Sequence, residues 1–167
     1  MHSKTKKIVI TALMAALICI ATMIVKIPSP LKGYINLGDC LVLVAGWILS
    51  PGYAFLAAGL GSALADLLSG YVTYAPATFI IKGAMALIVF AISMLMKKYK
   101  YKIVPQLIGG VAAEAFMVLG YFVFEGFLYG FAPSVVNIPA NCVQGAAGII
   151  IGIILIKAFE KTGIKKD

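Results

Sequence analysis

The sequence has no arginine: all fourteen basic residues are lysine, set against six acids, and 12% of its 167 residues are charged. A soluble domain carries about 25% charged residues, so an ordinary water-facing surface is excluded. Histidine and tryptophan occur once each and cysteine three times. His2 stands alone near the amino end, and Cys19, Cys40 and Cys142 each sit in an apolar run without CxxC or Cys/His spacing. The thiols therefore read as small buried hydrophobes, and neither a disulfide nor a metal is expected. Also missing are a GxxxxGK[ST] phosphate loop, HExxH, GxSxG and any paired acidic metal motif. An enzyme is not expected, no cofactor is implied, and the chain has no means of spending ATP itself.

What fills the sequence instead is apolar: 62% of residues are hydrophobic, against about 45–50% in soluble domains. The expectation is an all-α, polytopic protein of the cell membrane. It would be a compact six-helix bundle forming one domain over 1–167, with spans near 8–25, 39–50, 53–69, 77–96, 104–126 and 135–157. The run from Ile8 to Val25 follows three lysines as a secretion signal would. It is too long for one, and Pro28 and Pro30 rather than a small-residue cleavage site follow it, so it is read as a retained first span.

The net charge of +8 would suggest nucleic acid in a soluble protein, but these lysines cluster at helix ends, so the bilayer and not nucleic acid is the expected partner. Lys4, Lys6 and Lys7 lie at the amino end and Lys97, Lys98, Lys100 and Lys102 in one loop. The positive-inside rule places both groups in the cytoplasm, so an even number of spans separates them. That parity makes Ser50-Pro51-Gly52 a cytoplasmic turn between two short helices rather than a kink in one. The last two spans return Lys157, Lys161, Lys165 and Lys166 to the cytoplasm, with Lys26, Lys32 and Lys82 on or near the outside.

Charges inside the apolar runs are few. Asp66 and Lys82 flank the turn around Gly70–Pro76 at similar expected depths. They are read as a pair across a helical hairpin, either structural or with one partner shared with a ligand, because unpaired charges at membrane depth are costly and mark function. Asn137, Asn141 and Gln144 share one face of the last span, and Glu114, Val118, Tyr121 and Glu125 one face of the fifth. The two stripes are expected to face each other across a cavity opening outward, floored by Glu114 and Gln144; the bland alternative is interhelical packing. Ala12-x-x-x-Ala16 and Gly59-x-x-x-Ala63 mark close-packing faces, internal or toward another subunit.

Several segments together resemble a known family. They are Gly33-Tyr34-Ile35-Asn36-Leu37-Gly38-Asp39, Ala65-Asp66-Leu67-Leu68-Ser69-Gly70-Tyr71, Tyr74-Ala75-Pro76-Ala77-Thr78-Phe79-Ile80-Ile81-Lys82-Gly83, Met117-Val118-Leu119-Gly120-Tyr121-Phe122 and Asn141-Cys142-Val143-Gln144-Gly145. The chain resembles the substrate-binding S components of energy-coupling factor (ECF) vitamin transporters, the riboflavin type in particular. The resemblance implies six helices, cytoplasmic termini and an outer pocket for a vitamin. It also implies a transmembrane coupling subunit docked on the first three helices, where Ala12 and Ala16 match the family's AxxxA pattern, and two ATPase subunits. The residues expected to touch ligand are Asn36, Asp39, Tyr74, Lys82, Glu114, Tyr121, Asn141 and Gln144. Riboflavin, pyridoxine-like and hydroxymethylpyrimidine-like ligands all stay open. The rival reading is an autonomous channel or proton-coupled carrier that uses Asp66, Lys82 and Glu114 as a relay.

Overall fold

The computed structural model describes residues 2–29 and 33–161; Pro30, Lys32, Lys165 and Lys166 lie outside them. The chain forms α1 (His2–Ile24), a two-stranded ladder of β1 (Ile27–Pro28) and β2 (Tyr34–Ile35), α2 (Gly38–Ile48), α3 (Pro51–Leu68), α4 (Ala75–Leu95) and α5 (Ile103–Tyr129). A short α6 (Phe131–Ser134) and a tight turn, Val135–Asn137, lead into α7 (Ile138–Lys161). Among the described residues five helices, the last counted from Phe131, are long and apolar enough to cross a membrane. The six principal helices, α1–α5 and α7, pack as the expected bundle.

Helix α2 has 11 residues and is therefore about 16 Å long, too short to cross the hydrocarbon core alone. It is sheltered by protein, packing against α1, α3, α4 and α7, with Asp39, Val42, Leu43, Val44 and Ala45 fully buried. Its end and the start of α3 follow from Ser50-Pro51: Ser50 is extended and Pro51 opens α3, where a missing N–H costs nothing. The chain thus turns here, as charge parity required, and does not run on as a kinked helix.

Helix α3 ends in a Schellman motif. Gly70 takes φ +84°, the Tyr71 N–H bonds the Asp66 carbonyl (2.8 Å) and the Gly70 N–H the Leu67 carbonyl (3.2 Å). This closure carries Tyr71 back over the helix end beside Asp66. α3 and α4 then pack through reciprocal notches, the Phe79 ring on Gly59 and the Phe55 ring on Gly83. The two rings meet edge-on at 5.4 Å.

The ladder between α1 and α2, the α3–α4 turn and the α5–α7 connection lie at one end of the bundle. The start of α1 and the end of α7 lie at the other, where Lys102 in the α4–α5 loop pairs with Glu160 of α7 at 3.6 Å. Ala12 and Ala16 are exposed on α1, among exposed Leu13, Leu17 and Ile20, whereas Gly59 is internal. The two small-residue spacings therefore separate into an outward face and an internal contact.

Candidate ligand-binding site

A pocket opens at the end that carries the ladder. It spans about 410 Å³ including its open mouth. The free room for water inside is only about 40 Å³, so the walls are drawn in. Five elements build them. The ladder and the residues after it supply Gly33, Tyr34 and Asn36; α3 and its closing turn supply Asp66 and Tyr71; α4 and its cap supply Tyr74 and Thr78. α5 contributes Tyr121 and Glu125, and α7 contributes Asn141 and Gln144.

The outer wall is aromatic. Tyr34 and Tyr71 lie 4.7 Å apart between ring centroids, Tyr71 meets Tyr74 edge-on at 6.3 Å, and Tyr74 meets Phe124 at 5.3 Å. The Tyr34 hydroxyl donates to Asp66 Oδ1 (2.6 Å); burial, and then the Asp66 carboxylate beside it, push this phenol above its usual range. Outside it, Lys26 Nζ sits 5.8 Å from the Tyr34 ring centroid and donates to Ser69 Oγ at 2.7 Å.

Beneath the pocket lies a chain of buried polar groups. Lys82 is ion-paired with Asp39 Oδ1. The other carboxylate oxygen, Oδ2, accepts from Gln144 Nε2 (2.6 Å). Gln144 Oε1 in turn accepts from the Asn36 backbone N–H (2.8 Å), and Asn36 Oδ1 accepts from the Gly38 N–H (2.9 Å) at the start of α2. Lys82 Nζ also sits 5.4 Å from the Tyr121 ring centroid, whose hydroxyl is 3.0 Å from Thr78 Oγ1. This pattern leaves every oxygen of Asp39 and Gln144 engaged, as burial demands.

The expected ion pair between Asp66 and Lys82 is replaced. Asp66 lies two residues, about 3 Å, from the end of α3, while Lys82 lies seven residues, about 10 Å, into α4. At that depth its ammonium meets Asp39 at the head of α2, and Asp66 is left to Tyr34 and the pocket wall. Of the residues expected to touch ligand, Asn36, Tyr74, Tyr121, Asn141 and Gln144 line the pocket; Asp39 and Lys82 lie under it, joined to it through Gln144. Glu114 does not line it and is not its floor. It packs on α7, where a Cβ built on Gly148 would fall 2.9 Å from its Oε1 and 3.0 Å from the Asp39 Cβ, and both its carboxylate oxygens are buried without a hydrogen-bond partner among the described residues. Asn137 precedes α7 and donates to Glu125 Oε1 at 2.8 Å. The fifth-span stripe contained the signal for Glu125, whereas Tyr34, Tyr71, Thr78 and the wall role of Asp66 depend on how the loops fold back.

Comparison with known proteins gives a consistent pattern. The family model described as ECF-type riboflavin transporter, S component, matches residues 2–161. An uncharacterized protein of Pyrococcus woesei is 36% identical over 136 residues, covering 81% of this chain and 88% of that one. The thiamine precursor transporter HmpT of Lactococcus lactis subsp. cremoris is 24% identical over 165 residues, covering 98% and 93%. Among solved structures, the S component of a bacterial ECF transporter superposes with a TM-score of 0.75 at 20% identity, covering 95% of this chain and 98% of that one. The biotin S component of an ECF-type ABC transporter gives 0.56 at 21%, covering 93% of each. At such identities the structures share the fold alone.

Proposed function

This chain belongs to the family of ECF-type riboflavin transporter S components, and on that premise we propose that it captures a vitamin or vitamin precursor outside the cell and delivers it with a transmembrane coupling subunit and two ATPase subunits. The observation that carries the reading is a polar, tyrosine-walled pocket at one end of the bundle with a satisfied ion-pair chain immediately beneath it. A site open on one side and plugged on the other captures a ligand and does not conduct it. The pocket end is read as external and the lysine-rich end, with both termini, as cytoplasmic. The exposed α1 face with Ala12 and Ala16 is read as the docking surface for the coupling subunit.

The rival relay of Asp66, Lys82 and Glu114 has less support. Lys82 is committed to Asp39, and Asp66 bonds Tyr34 at the pocket wall. The test is to reconstitute the purified chain in vesicles and add candidate vitamins with and without a proton gradient. Binding without accumulation is expected; gradient-driven concentrative uptake by the chain alone would refute the reading.

A further inference from the structure

The pocket wall is one-sided in charge. Among the described residues its lining includes two acids, Asp66 and Glu125, and no lysine or histidine. Two nearby cations among the described residues are engaged elsewhere: Lys82 with Asp39 below, Lys26 with Ser69 on the far side of the Tyr34 ring. Asp66 Oδ1 accepts from Tyr34. Glu125 is 2% exposed, and its two oxygens are treated differently. Oε1 accepts from the Tyr74 hydroxyl (3.2 Å) and from Asn137 Nδ2 (2.8 Å), while Oε2 is buried and has no partner among the described residues.

A buried carboxylate oxygen without a donor is a costly feature that a native site does not keep without reason. Glu114 carries a similar orphan, but against Gly145 and Gly148 of α7 and away from the pocket, where no ligand reaches it. Glu125 Oε2 differs because its side chain lines the cavity, fixed there from α4 by Tyr74 and from the segment before α7 by Asn137. A ligand that fills the cavity brings the missing donor.

We propose that Glu125 is the residue that selects the ligand, with Oε2 accepting an N–H of a neutral or cationic nitrogen heteroaromatic and the acidic wall rejecting ligands that carry a phosphate or carboxylate. The proposal rests on the capture function above and narrows its substrate class. Tyr34, Tyr71 and Tyr74 offer ring faces to a flat heterocycle, and Asn141 and Gln144 offer amides to its polar edge. An anionic substituent would meet Asp66 and Glu125, with no lysine among the described lining residues to offset it.

Glu125→Gln inverts the polarity at one atom. Because Tyr74 and Asn137 both donate to Oε1, the amide oxygen takes that place, and the amide NH2 falls where Oε2 was. An acceptor for the ligand thereby becomes a donor. The experiment is calorimetric titration of the detergent-purified chain with two pairs of probes: an aminopyrimidine bearing a hydroxymethyl group and its phosphate ester, and riboflavin and its phosphate ester. At least one parent compound is expected to bind, with its ester about a hundredfold weaker or worse, and Glu125→Gln is expected to cost that parent about tenfold or more with the ligand-free thermal midpoint held. An ester that binds as tightly as its parent, or a Glu125→Gln affinity within about threefold of the original, overturns the proposal and leaves the capture function standing. Binding of none of the four overturns the proposal, while the capture function stands or falls by the vesicle assay above. If Glu125→Gln does not fold, Glu125→Asp, which withdraws the carboxylate by one methylene, is expected to give the same loss, and an unchanged affinity there overturns the proposal.

Discussion

Asp39→Asn isolates the energetics of the chain beneath the pocket. Asp39 is 0% and Lys82 3% exposed, so neither charge is offset by water. Asp39 serves two donors, the Lys82 ammonium and Gln144 Nε2. An asparagine there presents one acceptor and one donor to the same two partners, so one bond is lost, a donor is set against a donor, and the lysine loses its counter-ion. Breaking one side of a buried pair costs about 3–5 kcal/mol. Glu114 is the neighbouring acid, close to the same point at Gly148, and as a substitute counter-ion it would mask part of that loss. The measurement is therefore made with and without Glu114→Gln, by thermal or denaturant unfolding of the detergent-solubilised protein. In the Glu114→Gln background Asp39→Asn is expected to cost about 3–5 kcal/mol, and adding Lys82→Met is expected to recover more than half of it, because removing both charges leaves no uncompensated one. A cost below about 1 kcal/mol for Asp39→Asn in that background would refute the reasoning, for it would mean that water or lipid headgroups reach the pair.

Other substitutions separate the binding wall from the scaffold. Asn141→Ala is expected to weaken ligand binding by about one to two decades with little change in the apo thermal midpoint, whereas Gln144→Ala, which unties Asp39 from Asn36, is expected to lower both; titration beside thermal unfolding reads the difference. Ala12→Leu or Ala16→Leu is expected to leave ligand affinity unchanged and to abolish uptake by the complete transporter, as a bulky side chain on an exposed close-packing face blocks the coupling subunit. An affinity loss in the isolated chain would mean that this face packs inward. Gly83→Ala places a Cβ 2.6 Å from Phe55 Cε2 and is expected to destabilise by about 1–3 kcal/mol in unfolding measurements, since the ring is already held against Phe79.

How far the sequence led differs by element. Helix count and the break at Ser50-Pro51 were legible because hydropathy and lysine placement are properties of the chain alone. Asn141 and Gln144 were legible because they lie within α7, where helical spacing fixes a common face. Asn137 was not, since it sits in the tight turn before α7, where that spacing does not hold, and it faces Glu125 instead. The Asp66–Lys82 pairing failed for a related reason. Sequence distance from the turn gives depth along each helix, but the partner of a long side chain depends on which third helix stands opposite, and here the buried head of α2 supplies Asp39. Tyr34 and Tyr71 depend on backbone closures, the ladder and the Gly70 cap, which no side-chain periodicity announces.

Those closures bear on how a ligand enters. Besides its ladder, the described part of the segment over the pocket has side-chain ties that include the Tyr34 hydroxyl to Asp66 on α3 and the Asn36 backbone N–H to Gln144 on α7. The first ties it to the wall and the second to the buried ion pair. The Asn36 tie is the costlier, because it is wholly buried and breaking it strips Gln144 Oε1 and the head of α2 of partners together. The Tyr34 tie is half-exposed and lies beside Tyr71, on a turn held by two backbone bonds. Loss of the Tyr34 tie is therefore expected to ease entry more than loss of the Asn36 tie: Tyr34→Phe is expected to speed ligand association measured by stopped-flow fluorescence, and an unchanged association rate would refute this order.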